Sequence, residues 1–126
     1  MFNVKTKLGW DEIKGITVIA DQDIEKGGCV TFFDPDYDLV FEKTYIENMP
    51  EAQKQYVKNM TYEYEFGIDY KYVLPFGHEP YMNHDSKPNV DEYGRALHDI
   101  KSGDELTCDY VLMDSRCVLG SEPWLT

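Results

Sequence analysis

One eight-residue pattern occurs twice in this 126-residue chain. Ala20-Asp-Gln-Asp23-Ile24-Glu-Lys-Gly27 and Ala96-Leu-His-Asp99-Ile100-Lys-Ser-Gly103 share the form A-x-x-D-I-x-x-G. Each reads as strand, tight turn and strand, with glycine where the turn needs positive φ. The two copies lie too far apart for a solenoid repeat. The pattern therefore predicts two hairpins built on the same turn chemistry. Such a chain folds from short strands and sharp turns, not from long helices.

The flanking sequence agrees. Residues 15–20 are rich in β-branched side chains and predict a strand, and residues 29–33 predict another. Asp34-Pro-Asp-Tyr-Asp38 is a loop. One helix is expected after Pro50, because proline presets φ for a first helical residue and Glu51 suits the positive helix start. Ala52, Tyr56 and Met60 recur at helical spacing as an apolar stripe, and the helix should end near Thr61. Residues 62–76 read as extended chain and 77–89 as irregular. Further strands are expected at 95–98 and 105–110, joined by the turn at 101–104. The sum is a mostly β, or β-rich α+β, single domain.

A chain of this length can bury one core. Apolar residues make up 42%, and ten tyrosines and six phenylalanines are expected to supply much of the interior. No apolar run has membrane-spanning length, and the start lacks a signal-peptide apolar region. A soluble intracellular protein is expected, with no membrane partner. Cys29, Cys108 and Cys117 are odd in number and form no CxxC, which favours reduced thiols. The net charge of −12 disfavours direct nucleic-acid binding and would attract a basic, Lys-rich partner.

Metal and phosphate signals fail on spacing. Asp34, Asp36 and Asp38 open like a calcium loop, but Leu39 and Tyr45 stand where glycine and glutamate are needed. His78, Glu79 and His84 have the wrong spacing for a two-histidine zinc helix, which Pro80 would also break. No metal is expected. No P-loop, dinucleotide pattern or Gly-x-Ser-x-Gly is present. A Cys–His nucleophile pair stays open, although nothing marks Cys29 or Cys108 as activated.

Two stretches remain. Tyr81-Met-Asn83-His84-Asp-Ser-Lys-Pro88-Asn89 packs hydrogen-bonding side chains around one proline, and Glu105-Leu-Thr-Cys108-Asp109-Tyr110 ends an expected strand on tyrosine. In order, spacing and residue type they resemble the two hallmarks of the SET-domain protein lysine methyltransferases. The first is similar to aromatic-x-Asn-His-Ser-x-x-Pro-Asn. The second, extended back to Ala96, is similar to A-L-R-D-I-x-x-G-E-E-L-T-x-D-Y. Gly15-Ile-Thr17-Val-Ile-Ala20 is similar to the family's opening G-x-G-V-F-A. The likeness is good over 15–33 and 77–110 and also fits the repeated pattern, which the family's first and last hairpins commonly share.

The resemblance implies a SET-domain fold of small curved sheets, a C-terminal pseudoknot and one short helical insert, spanning 1–126. Residues 111–126 form a tail lacking the cysteine-rich zinc segment. It implies methyl transfer from S-adenosylmethionine to the ε-amine of a lysine in a basic protein such as a histone. Carried over by motif, Tyr110 is the catalytic tyrosine. Gly15, Ile16, Thr17, Tyr81, Asn83 and His84 bind the cofactor, with Trp124 from the tail covering it. Tyr81, Cys108, Tyr110 and Leu125 line the substrate channel. Glu105 and Asp109 are expected to be structural.

Four departures stand out. Thr17 replaces the second glycine of G-x-G. Asp85-Ser86 replaces Ser-Cys and brings a negative charge. Cys108 stands where many members have Phe or Tyr, which leaves room for higher methylation states unless another tyrosine fills it. The zinc segment is missing, so Trp124 and Leu125 must close the channel or else staple the C-terminus to the core. The alternative reading is a catalytically weak or inactive SET-like module that binds a basic peptide, motivated by Thr17 and Asp85. A homodimer is compatible with the sequence, which leaves oligomeric state open.

Overall fold

The computed structural model describes residues 1–119, 121, 122 and 125. It contains three small sheets. Strands β1 (Thr6–Asp11) and β2 (Gly15–Ala20) form an antiparallel hairpin, with Gly9 opposite Thr17 and Trp10 opposite Ile16. Strands β3 (Leu39–Glu42), β4 (Tyr62–Phe66) and β5 (Asp69–Leu74) form an antiparallel sheet in the order β3-β5-β4. Helices α1 (Lys43–Glu47) and α2 (Glu51–Met60) lie between β3 and β4 in sequence. Strands β6 (Asn83–His84) and β7 (Thr107–Cys108) pair in parallel, and the helical turn α3 (Tyr110–Met113) follows. No described helix is long and apolar enough to cross a membrane.

The repeated pattern turns out to pair with itself. Ile24 and Ile100 exchange both backbone hydrogen bonds at 2.8 Å. The Gly27 N–H donates to the Ala96 carbonyl at 2.7 Å, and the Gly103 N–H donates to the Ala20 carbonyl at 2.8 Å. The Lys26 N–H reaches the Asp99 carboxylate and the Ser102 N–H reaches the Asp23 carboxylate, both at 2.9 Å. Equivalent positions thus make equivalent bonds about an approximate two-fold axis. Gly27 and Gly103 adopt the expected positive φ of 81° and 100°. Two independent hairpins were expected; instead each copy is the other's partner, because each turn leaves backbone donors and an aspartate that the other satisfies.

That pairing sets residues 104–108 beside β2. Ala20 N–H donates to the Asp104 carbonyl at 2.9 Å, and Leu106 N–H donates to the Val18 carbonyl at 2.8 Å. The opposite edge bonds to 85–90: Asp85 N–H donates to the Cys108 carbonyl at 3.0 Å, and Val90 N–H to the Thr107 carbonyl at 3.1 Å. The segment is held on both edges.

The core is mainly aliphatic: Val18, Ile24, Val30, Val90, Ile100 and Leu106 are buried with Met82 and Cys108. Each fully buried aliphatic side chain contributes about 1.5–3 kcal/mol. The expectation of an aromatic core is corrected here. Tyr72 is the one aromatic residue buried among the described residues. Phe2, Tyr81 and Tyr110 pack against this core only partly buried.

Helix α2 matches its expected span, but its stripe does not face inward. Ala52 and Tyr56 are exposed, and no α2 residue is buried. Lys54 and Lys58 instead meet Glu47 of α1, at 3.9 and 2.9 Å. The strands expected at 29–33 and 95–98 are reduced to isolated bridges at Cys29, Thr31, Arg95 and Ala96. Residues 105–110 do not end as a strand. Asp109 accepts the Val111 N–H at 2.9 Å and caps α3, so Tyr110 opens a helical turn.

The two-fold pairing gives a test. Asp23→Ala and Asp99→Ala should each lower unfolding free energy by about 1 kcal/mol, equally within error, in urea titrations. A loss confined to one of them would show that the copies are not equivalent.

Candidate active site

Asn89 fastens the middle of the site. Its amide N–H donates to the Glu105 carbonyl at 2.7 Å, and its amide oxygen accepts the Thr107 N–H at 2.9 Å. One side chain thereby completes the ladder that β6 and β7 leave unfinished. Pro88 and the Asp85 carboxylate, which accepts the Lys87 N–H at 2.9 Å, shape the turn leading to it. The extra charge at Asp85 is therefore turned into its own loop.

Asn83 and His84 follow from β6. The Asn83 amide donates to the Ile16 carbonyl at 3.0 Å and to the Glu105 carboxylate at 3.1 Å. Lys14 neutralises that carboxylate at 2.7 Å. Glu105 is thus structural, its carboxylate holding Asn83 and Lys14 and its carbonyl holding Asn89. This join fixes the β1–β2 hairpin against the polar loop and brings Gly15, Ile16, Asn83 and His84 together. Thr17 is buried on β2, opposite Gly9. A Cβ on Gly9 would lie 2.9 Å from the Thr17 hydroxyl. The threonine that departs from G-x-G is accommodated by a glycine across the strand pair.

His84 Nδ1 accepts the Tyr110 N–H at 3.0 Å, which leaves the ring hydrogen on Nε2 in the neutral form. The two rings lie 5.4 Å apart, tilted. The Tyr110 hydroxyl donates to the Met82 carbonyl. Tyr110 is thus tied at its backbone to His84 and at its tip to the residue before Asn83.

Met82, Cys108 and Tyr110 share the wall of a cavity of about 340 Å³. Burial pushes the Tyr110 phenol above its ordinary range, with Cys108 and Cys117 adding to the effect. Burial also pushes the Cys108 thiol up to about 12, so it is a neutral thiol and not a nucleophile at physiological pH. Cys117 shifts the same way, again chiefly through burial. Tyr110 and Cys108 are thus neutral neighbours, while Lys58, Glu79, Asp114 and Arg116 bring charge to the same wall.

Several lining residues carried no sequence signal. Arg116 reaches the Lys58 carbonyl at 3.2 Å and the Thr61 carbonyl, pairs with Asp114 at 2.8 Å, and lies 5.1 Å from the Tyr72 ring centre. It joins the end of α2 to the chain after Tyr110. Glu79 and Tyr62 line this cavity and also a second one of about 290 Å³, whose walls include Phe33, Tyr64, Phe66 and Tyr93. Met82 falls at an unspecified position of its motif.

The other expected site residues lie as follows. Tyr81 packs partly buried against the core. Leu125 is buried, its N–H on the Glu122 carbonyl at 3.0 Å. Trp124 lies outside the described residues. Asp38, which opened the failed calcium pattern, accepts the Asp34 and Phe76 N–H groups, both at 2.8 Å, and pairs with the Met1 ammonium. Among the described residues no three or more His, Cys, Asp or Glu side chains gather as a metal site.

The model of the SET domain family matches residues 15–111. Among solved structures the fold is similar to a Plasmodium falciparum protein named as a candidate histone methyltransferase. The TM-score is 0.58 and the identity 19%, over 84% of this chain and 92% of that one. No curated protein matches the chain.

Asn89→Ala would strand the Glu105 carbonyl and the Thr107 N–H together. It should cost about 2–4 kcal/mol in thermal or urea unfolding. A loss under about 0.5 kcal/mol would show that the ladder does not depend on this side chain.

Proposed function

Because this chain belongs to the SET-domain family, we propose that it transfers a methyl group from S-adenosylmethionine to a lysine ε-amine in a basic protein. The observation that carries the reading is Tyr110. Its hydroxyl meets the Met82 carbonyl on a cavity wall, and its backbone is tied to His84 of the polar loop.

The residues fit the cofactor's chemistry. Both amide hydrogens of Asn83 are engaged by Ile16 and Glu105, so its amide oxygen is turned to accept from an ammonium. The backbones of Gly15–Thr17 and His84 lie beside it, and Thr17 does not obstruct them because its side chain faces Gly9. When bound, S-adenosylmethionine supplies a methyl group on a positively charged sulfur.

The chain's residues provide position and a suitable medium. A methyl acceptor must be a neutral amine, and an apolar, desolvated cavity lowers a lysine's pKa toward that form. Holding amine and methyl carbon in line supplies much of the rate. The Tyr110 oxygen and the Met82 carbonyl present fixed partial negative charge where positive charge shifts during transfer. Tyr110 does this as a neutral phenol, since burial keeps its proton on. Cys108 keeps the cavity wide at the position next to the Asp109-Tyr110 pair. The net charge of −12 steers a basic substrate such as a histone tail toward the protein.

Calorimetry should show S-adenosylmethionine binding, and labelled cofactor should transfer methyl to histones or lysate proteins. Tyr110→Phe should retain cofactor binding and lose about 10²-fold in kcat. Absence of cofactor binding would remove the reading. Binding without transfer would instead favour a non-catalytic module for basic peptides. Cys108→Phe should shift the products toward fewer methyl groups per lysine, read by mass spectrometry. An unchanged product distribution would show that Cys108 does not set the available space.

A further inference from the structure

Glu79 is a buried carboxylate that the mechanism above leaves unused. It follows the turn at Gly77 and sits in a short 3-10 turn with Pro80 and Tyr81. Its side chain is 12% exposed. With Tyr62 and Met113 it lines both cavities, so it stands where they adjoin, in the same wall as Tyr110 and Cys108. Its Oε2 takes the Met1 ammonium at 2.8 Å. Its Oε1 has no hydrogen-bond partner among the described residues and is not sealed from solvent-sized access. An amine is therefore already the group this carboxylate holds, and one oxygen is left for another.

We propose that Glu79 receives the ammonium of the incoming lysine and accepts its proton. The inference rests on the methyl-transfer reading and names a step that reading requires. The balance is simple: one N–H bond of the ammonium breaks, an O–H bond forms on Glu79, and the nitrogen lone pair is freed. Starting as an ion pair and ending as two neutral groups, the exchange is favoured by desolvation, and the Glu79 side chain is largely withdrawn from water. The second cavity suits the approach, because its rings attract a cation and Glu92 stands on its wall.

The charged and titratable groups facing Glu79 are the Met1 ammonium, Asp38, Tyr62 and Cys108. Burial raises the Glu79 carboxyl above its ordinary range, and the Met1 ammonium opposes this. The sign follows. The proton-accepting form is present above that raised value and is lost as pH falls through it.

Two measurements test the proposal. The first uses n-butylamine as a bare lysine side chain and follows glutamate carboxyl carbons by NMR. The amine should move the Glu79 resonance, n-butanol should not, and binding should weaken about tenfold or more in Glu79→Gln. Equal binding in the variant, or an unmoved Glu79 signal, overturns the proposal. The second is the pH profile of transfer. Glu79→Gln should lower kcat/KM at neutral pH by about 10²-fold and recover toward pH of about 10, where free lysine loses its own proton. A loss equal at every pH overturns it. Asp38→Asn loosens the same Met1 ammonium from outside the cavities and should leave the profile in place; reproducing the Glu79→Gln profile would assign the effect to anchoring of the chain's start and overturn it too. Butylammonium bound at Glu79 with no methyl transfer by the wild-type protein would overturn the function and leave the amine site standing, so the two failures are separable.

Discussion

The segment from Asp104 to Cys108 is the strip on which everything else hangs. It bonds on one edge to β2 and on the other to the loop that carries Asn83, His84 and Asn89. Leu106, Thr107 and Cys108 are buried, so each backbone polar group there must find a partner. Those partners come from parts of the chain far apart in sequence. The reciprocal bonds between Ile24 and Ile100, and between each aspartate and the other turn, hold the strip in register. A one-residue slip would turn Leu106 and Cys108 away from the core and misplace Tyr110.

From that strip the site inherits its geometry. Tyr110 follows β7 directly and is fixed at two points, His84 Nδ1 and the Met82 carbonyl. Both lie on the short stretch next to β7. The two motifs are therefore one structural unit, and the tyrosine's position is decided by backbone pairing rather than by side-chain packing alone. The helical insert stands apart. It is held by ion pairs to α1 and by Arg116, and it buries no side chain. Surface ion pairs contribute little to stability, so this region is suited to shaping a cavity wall more than to holding the fold.

Electrostatics divide the molecule in two. The net charge is strongly acidic, while Tyr110 and Cys108 at the cavity are kept neutral by burial. Carboxylates carried inward are balanced by cations, Asp38 and Glu79 by the Met1 ammonium, Glu63 by Lys43 and Asp114 by Arg116. The aromatic residues serve this division. Excluded from the aliphatic core, they line cavity walls, as Phe33, Tyr64 and Tyr93 do, or remain on the surface, as Trp10 and Tyr56 do.

Much was legible from local signals. Strand β2 spans its expected residues, because a β-branched run states its own conformation. Helix α2 begins after Pro50 as expected, although Pro50 is its non-helical N-cap and not its first residue, and Glu51 stands in the first turn. Gly27 and Gly103 take positive φ where the turns demand it. Asn83, His84, Cys108 and Tyr110 came from the resemblance to the family's two motifs, and the fold brings them to one place. By itself, then, the sequence determined the two glycine turns, strand β2, the span of helix α2 and the family. Only tertiary structure decided that the repeated pattern pairs with itself, that Ala52 and Tyr56 of the α2 stripe face water while Met60 reaches the cavity, that Tyr110 opens a helix and that Glu79 and Arg116 line that cavity. Each of these depends on hydrogen bonds or burial supplied by residues distant in the chain, and no local pattern encodes a partner that folding has yet to bring near.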